Sequence, residues 1–361
     1  MNKYYPTGLV VGSFNPPHMG HIRLLSVASD LCETVIVQVS KSPIDILSVE
    51  EKVILLRKNL FPKMNFEFII FEDEMYHLTE KGEDNVVINQ EYWDFYISEL
   101  SKQLAFINKY PVVIISSEEY AEGIANQIGC ESIRYDTKRE LTLISSTQVR
   151  NKINSGNYTS FIGLLPETKE KYSRKVCVVG TEGSGKTTLV KNLGYYLSAD
   201  IVMEYGRSYS EGKDTFSLED FVNIAIIHNN ILLETSKNST FGLVVSDTDA
   251  LITKIFAKFL LSQTDFMTFS DWIEPLIKTQ TSMFDLYLIT NPLIYHDDNG
   301  SRLLTEEQRE EFFSVLISEL VERQIKYIIL PDKSTNKVRN KALNIIKANV
   351  TDVSGYITKR G

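Results

Sequence analysis

Short apolar runs rich in Val, Ile and Phe recur through the first half of the chain, at 8–14, 34–39, 66–71, 112–117 and 131–135. Each is bounded by polar or turn residues, and none alternates strictly, which predicts strands buried on both faces. Between them, 21–31, 48–60, 91–108 and 119–127 are amphipathic or open on a capping residue, and so predict helices. Strand alternating with helix implies a parallel sheet covered on both sides, with its functional edge at the carboxyl ends of the strands. A further helix is predicted over 145–153, with Ser or Thr near its cap and ended by Gly156-Asn157.

The pattern then breaks. Residues 164–174, with Pro166 and a Glu/Lys-rich run, predict a linker. A second alternation begins with a strand at 175–179, followed by a helix to 197 and strands near 201–203, 243–246, 286–290 and 326–330. The expected fold is α/β in two domains, a Rossmann-like parallel sheet over 1–165 and a second parallel sheet over 166–361.

Composition narrows the class without changing that picture. The 361 residues are 43% hydrophobic and 24% charged, ordinary values for globular domains. A formal charge of -9 argues against a broad footprint for nucleic acid and favours small nucleotides as partners. Cys32, Cys130 and Cys177 are widely spaced and lie in or beside apolar stretches, as expected of reduced thiols in a cytoplasmic protein. No C-x-x-C or Cys/His cluster suggests a metal centre, no signal-peptide pattern opens the chain, and no apolar run reaches the roughly 18 residues of a membrane span. The oligomeric state stays open, a homo-oligomer included.

Chemistry concentrates in two places. In the second half, Gly180-Thr181-Glu182-Gly183-Ser184-Gly185-Lys186-Thr187 is a complete G-x-x-x-x-G-K-[ST] phosphate loop between a strand and a helix. Gly180, Glu182, Gly183, Ser184, Gly185, Lys186, Thr187 and Thr188 are therefore expected to bind ATP. Lys186 would reach the β- and γ-oxygens and Thr187 would supply a hydroxyl to Mg2+. Asp247, beyond the apolar run 243–246, fits the second metal-binding group. Glu204 reads either as a base for a substrate hydroxyl or as an exposed strand-end carboxylate paired with Arg207. Asp249 reads as a substrate contact or alternative base, and Tyr205 and Arg207 complete the expected substrate-binding set. Arg302, in the polar loop 296–302, is the candidate lid arginine for the transferred phosphate.

In the first half, Gly12-Ser13-Phe14-Asn15-Pro16-Pro17-His18-Met19-Gly20-His21 follows the first strand directly. Asn-Pro-Pro stops the strand abruptly, and Gly20 lets a helix start with its amides toward an anion. His18 and His21, three apart, can face one ligand. Later, Ile144-Ser145-Ser146-Thr147-Gln148-Val149-Arg150 offers hydroxyls and amides at a helix start, with Arg150 one turn on. Trp93 is expected either to stack on a substrate base or to pack an amphipathic helix. Ser116-Ser117-Glu118, at the end of a buried run, either contacts adenosine or begins the next helix.

The first segment resembles the G-x-F-x-P-x-H-x-G-H fingerprint of the nucleotidyltransferase superfamily, and the second matches its I-S-S-T-x-x-R element. The resemblance implies that Gly12, Ser13, Phe14, Asn15, His18, His21, Ser145, Ser146, Thr147 and Arg150 bind ATP. Together with the phosphate loop, Glu204-Tyr205-Gly206-Arg207, Asp247-Thr248-Asp249 and Asp297-Asp298 to Arg302, nearly the entire chain looks like the bifunctional NadR family. That resemblance implies a ribosylnicotinamide kinase behind a nicotinamide-nucleotide adenylyltransferase, taking nicotinamide riboside to its mononucleotide and then to NAD, with ATP and Mg2+ at both steps. Family members with a regulatory role carry an amino-terminal helix-turn-helix domain; none is seen before the first strand, so transcriptional repression is not expected. Two other readings stay open: an adenylyltransferase of another metabolite fused to a different small-molecule kinase, and a nucleotide-sensing module without turnover.

Overall fold

In this computed structural model, residues 3–43, 45–74, 79–81, 86–88, 90–154, 161–213, 215–291, 304–330 and 335–351 are described. They form two compact units, Met1–Lys152 with Gly163–Lys171, and Ile153–Ile162 with Tyr172–Gly361.

The first unit runs β1 (Tyr5–Gly12), α1 (Met19–Leu31), β2 (Cys32–Lys41), α2 (Val49–Leu60), β3 (Phe66–Glu72), β4 (Thr79–Lys81), β5 (Val86–Ile88), α3 (Gln90–Phe106), β6 (Val113–Ser116), α4 (Tyr120–Ile128), β7 (Glu131–Arg134), α5 (Ser146–Asn154) and α6 (Pro166–Tyr172). Five strands pair in parallel in the order β3-β2-β1-β6-β7, with Leu9 opposite both Ile36 and Ile114. β1 is central, and the strand order reverses there, so its carboxyl end opens on the crevice where α/β sheets bind ligands. The strand leaves the sheet at Gly12, earlier than the apolar run suggested, because Phe14 takes a left-handed φ of 47° and turns the chain. Patterning did not show the antiparallel β4–β5 pair.

Residues 166–172, expected as linker, are helical instead. Leu165 and Thr168 are fully buried, and Leu164 bridges to His18, so this stretch is fastened to the first unit.

The second unit continues β8 (Arg174–Val179), α7 (Lys186–Leu197), β9 (Asp200–Val202), α8 (Tyr205–Ser210), α9 (Leu218–Lys237), β10 (Leu243–Asp247), α10 (Ala250–Leu260), α11 (Gln263–Met283), β11 (Leu286–Thr290), α12 (Glu306–Glu322), β12 (Tyr327–Leu330) and α13 (Thr335–Ile346). Its parallel order is β12-β11-β8-β10-β9, again with the first strand in the middle. Alternation along the strands feeds two cores. Cys177, Val179, Val244, Tyr287 and Ile289 face one layer of helices, while Val176, Val178, Val245, Leu286 and Leu288 face the other. Capping boxes start α9 and α12, at Ser217 with Asp220 and at Thr305 with Gln308. Among the described residues no helix is long and apolar enough to cross a membrane.

Candidate active sites

The first site is assembled at the carboxyl end of β1. His18 caps α1: its Nδ1 accepts from the Gly20 amide at 3.1 Å, while His21 Nδ1 accepts from the His18 amide at 3.2 Å. With Nδ1 an acceptor on both rings, each neutral imidazole carries its proton on Nε2 and presents a donor. The rings stack at 3.7 Å, and His18 Nε2 is buried with no partner among the described residues. Burial, with the charge of Arg139 second, brings the His18 pKa down to about 3. His21 is held well below its usual value by burial, then by His18, Arg139 and Lys52. Both are thus uncharged hydrogen-bond donors at neutral pH.

The turn ahead of the histidines is tied from behind. Arg150 donates to the Asn15 carbonyl, Ser146 Oγ to the Pro16 carbonyl at 3.1 Å, and Thr168 Oγ1 to the Pro17 carbonyl at 3.2 Å. Arg150 also donates to Thr147 Oγ1 at 3.2 Å, and Ser145 Oγ accepts from the Gln148 amide at 3.1 Å, capping α5. The two segments singled out in the sequence are therefore in direct contact, although more than a hundred residues separate them. Gly12 lies against the Phe14 ring, and Ser13 is exposed at the mouth of the turn.

Trp93 is half-buried, stacked near Tyr96 with ring centroids 6.2 Å apart and lying over Gly123 of α4. Ser116 Oγ accepts from the Glu118 amide at 3.0 Å and Glu118 pairs with Arg139, in the turn that leads into α4. Arg139 went unnoticed in the sequence. It also donates to the Ile144 carbonyl at 3.1 Å, and its charge adds to the burial that lowers the pKa of both histidines.

In the second unit the phosphate loop closes between β8 and α7. Gly180, at φ 150°, faces Thr290 so closely that a Cβ would lie 2.3 Å from Thr290 Oγ1. Ser184 Oγ bonds Thr290 Oγ1 at 2.6 Å and the Thr181 carbonyl at 2.7 Å. Gly185, at φ 84°, starts α7. Lys186 is buried and donates back to the Thr181 carbonyl at 3.0 Å. Glu182 accepts from the Leu304 amide at 3.2 Å, and Gly183 and Thr188 complete the loop and the helix start.

Thr187 Oγ1 donates to Asp247 Oδ2 at 2.6 Å. Asp247 is fully buried, and its Oδ1 has no partner among the described residues. A buried carboxylate oxygen left open beside a hydroxyl suits Mg2+, which takes few protein ligands and completes its shell with phosphates and water.

Glu204 sits between β9 and α8 without capping the helix. Burial raises its pKa; Lys186 and Arg207 pull it down, while Asp247 and Glu182 push it up. Of those four charges, Lys186 and Glu182 belong to the phosphate loop. Tyr205 and Arg207 follow in α8, Arg207 exposed.

Asp249 is different. Its Oδ1 accepts from the Ile252 amide at 3.0 Å as the cap of α10, its Oδ2 accepts from Tyr287 at 2.6 Å, and no part of it is exposed. Two satisfied oxygens under a helix start are a structural arrangement, which corrects the expectation of a substrate-facing carboxylate. His228 holds the same turn, with Nε2 3.1 Å from the Thr248 carbonyl. Arg302, His296, Asp297, Asp298 and His77 lie outside the described residues.

A parallel sheet with a histidine-bearing nucleotide turn, followed by a parallel sheet with a phosphate loop, defines a two-domain nucleotidyltransferase-like and P-loop protein. Residues 9–152 match the cytidylyltransferase-like family and residues 175–337 the AAA domain family. Across both domains the chain is NadR-like. It is 27% identical over 330 residues to the trifunctional NAD biosynthesis/regulator protein NadR of Escherichia coli (strain K12), covering 89% of this chain and 78% of that protein. The NadR of Salmonella typhimurium (strain LT2) is 26% identical over the same coverage. A crystal structure of NadR in complex with NR superposes with a TM-score of 0.69 at 24% identity, covering 97% of this chain and 96% of that one. A second, in complex with NAD and AMP-PNP, gives 0.65 at 24% identity, covering 95% and 96%.

Proposed function

We propose that the protein is a bifunctional NAD biosynthesis enzyme: the second unit phosphorylates nicotinamide riboside, and the first adenylylates the resulting mononucleotide. The observation that carries the reading is a buried polar atom left open at the carboxyl edge of each sheet: His18 Nε2, just past the turn after β1, and Asp247 Oδ1, at the end of β10, whose other oxygen meets Thr187 of the loop after β8. The NadR relatives, alike along both domains, support the same pairing of activities.

In the second unit, the substrate's 5′-hydroxyl oxygen forms a bond to the γ-phosphorus of ATP as the bond to the β,γ-bridging oxygen breaks. Glu204, its pKa raised by burial, takes the hydroxyl proton, and Tyr205 and Arg207 line the substrate side. Lys186 leaves the Thr181 carbonyl for the phosphate oxygens. Thr187 and Asp247 would hold Mg2+, which neutralises phosphate charge when bound.

In the first unit, the mononucleotide's phosphate oxygen attacks the α-phosphorus of ATP and pyrophosphate leaves. No protein nucleophile is needed. The Nε2 donors of His18 and His21, the helix start at Ser145 and Ser146, and Arg150 stabilise charge on the transferring and leaving phosphates. Adenylyl transfer is assigned to the first unit, which takes in Thr168 beyond a boundary at 165, and phosphorylation to the second. The compartment proposed is the cytoplasm.

The test is a product assay with ATP, Mg2+ and nicotinamide riboside, resolved by chromatography. Mononucleotide and NAD together are expected. Neither product from folded, ATP-binding protein would overturn the reading in favour of another riboside or a sensor.

A further inference from the structure

Lys52 lies on α2, outside every motif of the sequence, and its side chain is fully buried. Its ammonium donates to the Ser13 carbonyl at 2.9 Å and to the Ser40 carbonyl at 3.0 Å, and pairs with Asp45. Three acceptors use all three N–H bonds. Asp45 also accepts from the Ser42 amide at 2.9 Å. A sequestered cation is costly to keep even when paired, so its location carries information.

That location is the carboxyl edge of two neighbouring strands. Ser13 is the first residue past β1, and Ser40 is near the end of β2. Directly after Ser13, Phe14 adopts its left-handed φ of 47°, and its ring meets His21 edge-on with centroids 4.8 Å apart. The carbonyl that Lys52 holds is therefore one residue away from the side chain that seats a catalytic histidine. The charge of Lys52 also contributes to holding His21 neutral.

We infer that Lys52 is a positioning residue of the first site: it holds the Ser13 carbonyl into the protein, so that the nucleotide turn and the Phe14–His21 contact keep the geometry that receives the ATP triphosphate. This rests on the adenylyl-transfer reading of that unit. Together with Arg150, Ser146 and Thr168, it makes the turn one whose carbonyls at Ser13, Asn15, Pro16 and Pro17 are each bound from behind.

The experiment compares Lys52→Met, Asp45→Asn and the double variant in the full chain. KM for ATP and kcat are read in NAD formation from the mononucleotide, riboside phosphorylation serves as the internal control, and melting is followed in parallel. Lys52→Met and the double variant are expected to raise KM for ATP, lower kcat, or both, with a loss in kcat/KM of at least about tenfold, since small misplacements of a site are magnified in rate. Phosphorylation should be unchanged. Asp45→Asn, which keeps both carbonyl contacts but removes the counter-charge, should melt earlier while KM and kcat of the folded protein stay near wild type. Should Lys52→Met alone fail to fold because Asp45 is stranded, the double variant, which removes that charge, carries the comparison. Recovery of wild-type KM and kcat by the double variant, or no effect in a folded Lys52→Met protein, overturns the inference. If the wild type makes no NAD from the mononucleotide, the substrate assignment fails on its own. ATP binding to the first unit in a Lys186→Ala background then decides: weakened by Lys52→Met supports the role, unchanged overturns it.

Discussion

Asp249 and Tyr287 share a 2.6 Å hydrogen bond in the fully buried interior of the second unit, and Asp249 simultaneously caps α10. The carboxylate that the sequence offers as a substrate contact or alternative base is thus committed to the fold. Replacing it by Ala is expected to cost about 1 kcal/mol for the cap and about 1–3 kcal/mol for the stranded tyrosine hydroxyl. Glu204→Gln, in contrast, should leave thermal stability alone and lower kcat for phosphorylation by about a hundredfold or more. Denaturation and steady-state rates of the two variants separate the roles. A folded Asp249→Asn protein of unchanged melting temperature but without kinase activity would reverse them.

The two sites should fail separately. Lys186→Ala is expected to abolish riboside phosphorylation and spare adenylylation of supplied mononucleotide, while His21→Ala does the opposite. Rates measured with each substrate given separately check this, and equal loss of both reactions in either folded variant would sink the two-site account.

Stability should depend on the histidines in mildly acid solution. His18 titrates at about 3 when folded against an ordinary 6.5, so between those values the unfolded chain binds more protons than the native one. Stability therefore rises with pH across that window and is lost as pH falls from about 6.5. His21 acts in the same direction. From pH 7 to pH 5 the His18 contribution should amount to a loss of about 1–2 kcal/mol. Denaturant titrations at the two pH values should show a smaller loss for His18→Asn than for wild type.

Asp247→Asn keeps the size of the side chain but removes its negative charge and leaves one neutral oxygen acceptor beside Thr187. The Mg2+ concentration giving half-maximal phosphorylation is expected to rise, with adenylylation less affected. An unchanged metal dependence would remove Asp247 from the metal site.

Much of this could be read in the chain beforehand because it is local. Gly180 and Gly185 stand where the backbone takes φ values of 150° and 84°, and the Asn-Pro-Pro turn ends a strand within a few residues. Such geometry is written in adjacent letters. Lys52, Thr168 and Arg139 were not legible, since their partners at Ser13, Pro17 and Glu118 lie 39, 151 and 21 residues away. On α2, Lys52 looks like any solvent-facing lysine of a Ser-capped helix. The position of α6 was obscured for a related reason: a short polar segment with Pro166 has the composition of a tether, and only its buried Leu165 and Thr168 reveal what it is tied to.

The bond from Thr168 to the Pro17 carbonyl has a consequence for cleavage. A protease nick after Leu165 would leave both histidines, both motif serines and Arg150 on the amino-terminal fragment, yet would sever from it the hydroxyl that meets Pro17. A cut after Lys171 would retain that hydroxyl. The difference of a few residues decides whether the severed piece still carries a complete backing for its nucleotide turn.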